Sequence, residues 1–327
     1  MTDKPRIGFL GTGWIGRHRM AAMLADGRVE AVAIADPSPG MAAEAQQLAP
    51  AATLVSTLEE ILALAPDGVV IATPSALHAA QSIQALQAGV AVFCQKPLGR
   101  SGDEAAAVVA AARAADRLLT VDLSYRFTTG MERIAALVRG GELGHVHAVD
   151  LVFHNAYGPD KPWFYDRAQS GGGCVMDLGV HLVDLALWTL GFPDVRDVRS
   201  HLTANGQPRA PDGIEDFAVA SMVLETGTVI RLACSWRAHA GRDADIAATF
   251  YGTDGGAALR NVAGSFYDFT ADRYRGTAAE PLSTPPEEWG GRAAVEWARR
   301  LADGERFDPA ADNLVAVSRV IDRIYAD

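Results

Sequence analysis

Gly11-Thr12-Gly13-Trp14-Ile15-Gly16 is a GxGxxG motif, and its setting constrains the fold more than any other feature of the chain. It follows the apolar run Arg6–Leu10 and opens a stretch with helical spacing, Ile15–Leu24. A second apolar run, Val29–Ala35, leads to Asp36, 20 residues past Gly16. Strand, glycine turn, helix, strand and acid in that order make the dinucleotide-binding fingerprint. Gly11 permits the tight turn, Gly13 lets the backbone approach a pyrophosphate, and Gly16 lets the helix lie close to the strand. The N–H groups at the helix start hold the anion, and Thr12, Trp14 and Ile15 share that turn. Asp36 accepts from ribose hydroxyls and repels a 2′-phosphate, and Pro37-Ser38 brings no arginine to offset it. NAD is therefore expected over NADP.

Further apolar runs, Gly68–Ala72, Val90–Cys94 and Leu118–Leu123, alternate with helical stretches at Met41–Leu48, Ala76–Gln87 and Asp103–Ala115. This predicts βαβ units and a parallel sheet covered by helices on both faces. After Arg126 the pattern changes. A helix is expected over Met131–Val138, then alternating runs at Val146–His154, Asp216–Leu224, Val229–Trp236 and Ala247–Tyr251. A helix over Asp177–Thr189 interrupts them, Pro281–Pro286 reads as a loop, and helices near Glu287–Leu301 and Ala310–Tyr325 close the chain. The expected fold is α/β: a Rossmann doubly wound parallel sheet over residues 1–123, then an α/β domain with an open, mostly antiparallel sheet over 124–327. The C-terminal helices are free to pack back on the first domain.

The 327 residues are 49% hydrophobic and 21% charged, which excludes disorder as the main state. The net charge of −11, without a basic block, argues against a nucleic acid or an anionic membrane as partner. No run of about 18 apolar residues stands out as a membrane span. The opening residues lack the apolar core and cleavage site of a signal peptide. Cys94, Cys174 and Cys234 are too scattered for a disulfide scaffold or a CxxC zinc site, so no metal is expected and a cytoplasmic location is.

Two segments carry candidate chemistry. Gln95-Lys96-Pro97 follows the run Val90–Cys94, at the carboxyl end of a parallel strand, where such sheets hold ligands. Gly171-Gly172-Gly173 leads into Asp177, His181 and Asp184, and the i, i+4 spacing of Asp177 and His181 gives them one helix face. A histidine titrating near neutral pH beside a carboxylate suits acid/base work. A capping aspartate with a histidine satisfied within the helix is the plainer alternative.

Together with Ala72-Thr73-Pro74 and His78, these motifs resemble the glucose–fructose oxidoreductase/inositol dehydrogenase (Gfo/Idh/MocA) family over nearly the whole chain. The resemblance implies NAD(P)-dependent oxidation of a secondary alcohol of a sugar or cyclitol, or the reverse. It implies His181 as the general base, Lys96 as the donor to the reacting oxygen, and Asp177 as the group that positions the sugar or tunes His181. Thr73, Pro74, His78 and Gln95 fall on the cofactor side. Residue 95 departs from the family, which usually has glutamate there. Tyr125, Arg126 and Trp163 are the preferred substrate contacts, with Ser124, Phe127, His154, Asn155, Tyr157, Tyr165 and Asp166 nearby. The resemblance also implies a homo-oligomer, a dimer or tetramer formed through the C-terminal sheet. A reductase of a non-sugar ketone, imine or dihydrodiol, a non-redox enzyme that cycles NAD internally, and a non-catalytic NAD-binding regulator are the alternatives. The substrate itself is not legible.

Overall fold

The computed structural model describes residues 4–326. The chain forms two compact units, Met1–Ser124 with Gly290–Val315, and Tyr125–Trp289 with Ala316–Asp327.

In the first unit, β1 (Arg6–Leu10), α1 (Trp14–Asp26), β2 (Glu30–Ala35), α2 (Pro39–Gln46), β3 (Thr53–Val55), α3 (Leu58–Ala63) and β4 (Gly68–Ile71) alternate along the chain. α4 (Ser75–Gln87), β5 (Ala91–Cys94), α5 (Gly102–Ala115) and β6 (Leu119–Val121) follow. The six strands pair in parallel in the order β3-β2-β1-β4-β5-β6. The order reverses between β1 and β4, which places the first glycine turn at the switch point of the sheet. β4 and β5 are buried along their whole length, as apolar runs without alternation require. β3 and α3 were not expected. β3 has three residues, and Leu54 in it is exposed, so this outer strand carries little apolar signal.

The second unit is built on a nine-stranded sheet. Its elements are α6 (Thr129–Arg139), β7 (Val146–Asn155), the single turn α7 (Arg167–Ser170), α8 (Val180–Leu190), β8 (Val195–Ala204) and β9 (Gln207–Pro208). β10 (Phe217–Leu224), β11 (Val229–Ser235), β12 (Ala244–Gly252), β13 (Gly256–Asn261), β14 (Phe269–Arg275) and β15 (Ala278–Ser283) complete it. The order is β15-β14-β13-β12-β7-β11-β10-β8-β9, antiparallel except for the parallel pair β7–β11. α6 and α8 pack against one another and on the sheet. Their core includes Ile134, Leu182 and Leu185 with Leu151, Phe153, Ile230, Leu232 and Phe250.

The expected loop Pro281–Pro286 is partly strand, since β15 takes in Pro281 and Ser283. β15 lies at the sheet edge, where a proline without an N–H leaves no ladder bond unmade. Arg167–Leu190 proves long and apolar enough to cross a membrane by composition, contrary to expectation. It is a core segment, with 83% of its most apolar window buried inside the protein.

Two helices close the chain, α9 (Arg292–Ala302) and α10 (Asp312–Ala326). α9 packs on α1 and β5 within the first unit. Its Trp297 is fully buried, with its ring 5.8 Å from that of Phe93. A Cβ on Gly68 would sit 2.7 Å from that indole, so the start of β4 is small because α9 covers it.

Candidate active site

Gly11 has φ +83°, and a Cβ there would lie 2.5 Å from the Ala72 carbonyl oxygen. A Cβ on Gly16 would lie 2.2 Å from the Gly11 carbonyl oxygen. The turn between β1 and α1 therefore admits only glycine at both positions. α1 begins at Trp14 after Gly13, and no side chain caps it. Its first N–H groups and the positive end of its dipole are therefore not used by a capping side chain. Asp36 is tied to the same turn: Oδ2 accepts from the Thr12 N–H at 2.6 Å and from the Thr12 hydroxyl at 3.3 Å, and Oδ1 accepts from the Ser38 N–H at 2.8 Å. An uncapped helix start beside an anchored carboxylate fits the pyrophosphate and ribose of a dinucleotide. Trp14 is half exposed and stacks on His18, with ring centroids 5.8 Å apart.

Lys96 stands past the carboxyl end of β5, partly buried, and the Lys96–Pro97 peptide is cis. His78 of α4 joins this segment to the loop after β4. Its Nδ1 lies 2.7 Å from the Pro97 carbonyl oxygen and its Nε2 lies 2.7 Å from that of Thr73. Burial pushes the His78 imidazole below its ordinary range, against the pull of those two carbonyls, each of which favours an N–H. His78 thus serves as a clamp within the fold. Thr73 donates through its hydroxyl to Gln81. The Gln95 amide donates to Asp122 Oδ2 at 2.7 Å.

Asp177 and His181 sit at a junction that spacing alone did not foresee. Val175–Gly179 is a π-helical turn, and α8 proper begins at Val180. A π turn inserts an extra residue, and such turns gather at functional sites. Its start is held from outside the helix. Glu215, fully buried, accepts from the Gly173 N–H at 3.1 Å and the Val175 N–H at 2.9 Å. The Tyr325 hydroxyl of α10 donates to Glu215 at 2.7 Å and accepts from the Met176 N–H at 3.1 Å. Burial raises the Glu215 carboxyl, and the hydrogen bonds from Val175, Tyr325 and Gly173 pull the other way. A Cβ on Gly173 would strike the Glu215 carbonyl oxygen at 2.0 Å.

The Trp236 indole N–H donates to Asp177 Oδ2 at 2.9 Å. The His181 ring lies among aromatic neighbours, 4.9 Å from Tyr125 edge-on and 6.4 Å from Phe153. Tyr125 in turn meets Trp289 at 5.0 Å and Phe269 at 5.9 Å. Arg126 pairs with buried Asp184 through both oxygens, and its guanidinium lies over the rings of Trp188 and Phe192. Asp184 thereby acquires a role: its carboxyl is raised by burial and pulled back by Arg126. Trp163 stacks on Phe164 at 3.8 Å. The sequence reading missed Trp236, Glu215, Tyr325, Trp289 and Asp122. Each lies far along the chain from the residue it serves, so no local spacing marks it.

Residues 5–123 match the oxidoreductase family with an NAD-binding Rossmann fold, and residues 131–258 match the GFO/IDH/MocA C-terminal domain. The D-glucoside 3-dehydrogenase of Escherichia coli (strain K12) is 26% identical over 79% of this chain and 78% of its own. The putative UDP-kanosamine synthase oxidoreductase subunit of Amycolatopsis mediterranei (strain S699) is 30% identical over 91% of this chain and 87% of its own. Among solved structures, GenD2 from gentamicin A biosynthesis, in complex with NAD, superposes with a TM-score of 0.83 at 26% identity, covering 100% of this chain and 94% of that one.

Proposed function

The chain belongs to the GFO/IDH/MocA family of NAD(P)-dependent oxidoreductases, and we propose that it moves hydride between NAD and a secondary alcohol of a sugar, cyclitol or related polyol. The observation that carries this reading is the Asp177–His181 pair at the π junction, with Asp177 oriented by Trp236 and His181 set among aromatic rings. A sugar-class substrate is favoured because the named relatives act on glucosides or take part in making amino sugars.

NAD, when bound, supplies the hydride acceptor, and the glycine turn with Asp36 would hold it. His181 takes the proton of the substrate hydroxyl. Lys96, past the carboxyl end of β5, is the candidate donor to an oxygen on which negative charge develops. Asp177 orients a neighbouring hydroxyl or the imidazole. Tyr125 and Trp163 offer ring faces to the carbohydrate, whereas the Arg126 head group is engaged by Asp184. The anchored Asp36 supports NAD over NADP. A contact between copies through the nine-stranded sheet is supported by Phe217, Val219, Val229 and Tyr251, exposed on one face around the Arg231–Asp150 pair. Light scattering would test it.

The reading is tested by a sugar and polyol panel with NAD, following NADH. Net NADH from the parent, with kcat lost in Lys96→Ala and His181→Ala while NAD still binds, supports it. Parent-like turnover in both variants overturns it.

A further inference from the structure

Gln95 stands next to Lys96 in the chain, and its side chain meets a buried ion pair, that of Arg19 and Asp122. β5 and β6 are paired neighbours, so the residues just past them lie side by side, and the Asp122 N–H donates to the Cys94 carbonyl at 2.9 Å. The Gln95 amide donates to Asp122 Oδ2 at 2.7 Å, and the Arg19 guanidinium of α1 donates to the same oxygen at 2.6 Å. Arg19 and Asp122 are almost wholly buried and Gln95 is 9% exposed. Among the described residues the other oxygen, Asp122 Oδ1, is buried without a hydrogen-bond partner, so Oδ2 is where the carboxylate is held. Beyond Arg19 stands His18, whose Nδ1 lies 3.0 Å from an Arg19 nitrogen. Beside Asp122 is the Cys94 thiol, pushed up to about 12 chiefly by burial. A buried guanidinium needs one anion, and Asp122 supplies it. A glutamate at 95 would set a second carboxylate against the first, and two so close cannot both ionise.

We propose that Asp122 carries the one buried negative charge that Arg19 requires, and that the Arg19–Asp122–Gln95 cluster positions the segment bearing Lys96. The Gln95 N–H donates to the Ile71 carbonyl at 2.9 Å, so residue 95 is held by its backbone from β4 and by its side chain from Asp122. Lys96 inherits its place from that double anchorage. The positioning half of the proposal rests on the assignment of Lys96 above; the charge half does not.

The test is an exchange of the two groups: Gln95→Glu, Asp122→Asn, and both together. Each single variant should lower the melting temperature by about 5 °C or more, the first by giving Arg19 two carboxylates and the second by giving it none. The Gln95→Glu deficit should shrink as pH falls, because the two carboxylates then share a proton, and the Asp122→Asn deficit should not. The double exchange should restore the melting temperature. Where the parent turns over a substrate, kcat should fall roughly tenfold or more in the singles, with the NAD Kd within about twofold, and recover in the double. A double variant as damaged as the two singles added together overturns the proposal. So does a coupled melting temperature with unchanged kcat in the singles, which would deny the positioning role. Should Asp122→Asn fail to fold, a folded and active double variant supports the proposal and an unfolded one overturns it. The melting data need no turnover, so loss of the catalytic reading and loss of the charge placement are told apart.

Discussion

The indole N–H of Trp236 lies 2.9 Å from Oδ2 of Asp177, joining the end of β11 to the π turn that precedes α8. Trp236 is fully buried, so its donor has a single fixed direction. Trp236→Phe keeps the apolar bulk and removes the N–H. A hydrogen bond to a charged group contributes about 1.5–3 kcal/mol, so kcat should fall roughly ten- to a hundredfold while the NAD Kd holds. Steady-state kinetics beside a binding titration would check it, and equal losses in both would move Trp236 out of the site.

Asp36 accepts from the N–H and hydroxyl of Thr12 in the turn and from the N–H of Ser38, besides the ribose that it is proposed to bind. Asp36→Ala should weaken NAD about tenfold or more and narrow the preference over NADP. Fluorescence titration with both cofactors measures this. Unchanged affinities would remove Asp36 from cofactor choice.

Glu215 uses both oxygens for three donors: two backbone amides and the Tyr325 hydroxyl. In Glu215→Gln an NH2 faces another donor, and a buried unsatisfied group costs about 1–3 kcal/mol. The melting temperature should drop by about 3–10 °C. Calorimetry decides, and an unaltered melting curve would mean that the helix start is held by packing alone.

His78 has a folded-state value held below 6.5 by burial. The unfolded chain therefore takes the proton first on acidification. Stability from this group is complete above pH 6.5 and is lost as pH falls below it toward the folded-state value. His78→Gln should flatten that part of the stability–pH curve. Denaturant titrations across the window provide the measurement, and an identical slope in the variant would assign the effect to another group.

The first sheet was readable because each strand is a short unbroken apolar run beside a helix, and β1 came out at Arg6–Leu10 as read. β3 escaped because it has three residues and faces solvent. In the second unit, β8 escaped because Arg196, Asp197, Arg199 and His201 are exposed and mask its inward residues. The glycine motif, Lys96 and the Asp177–His181 pair were visible as local spacings. Their supports were not, since Trp236, Glu215 and Tyr325 reach Asp177 and its helix only through the folded sheet. The π turn also lay beyond reading, because nothing in Val175–Gly179 distinguishes it from an α turn.

Tyr325 lies in the last turn of α10, and its phenol secures the opening of the helix that bears Asp177 and His181. α10 is thus a remote strut of the proposed reaction centre, and cutting the chain before Tyr325 would disturb chemistry more than 140 positions upstream.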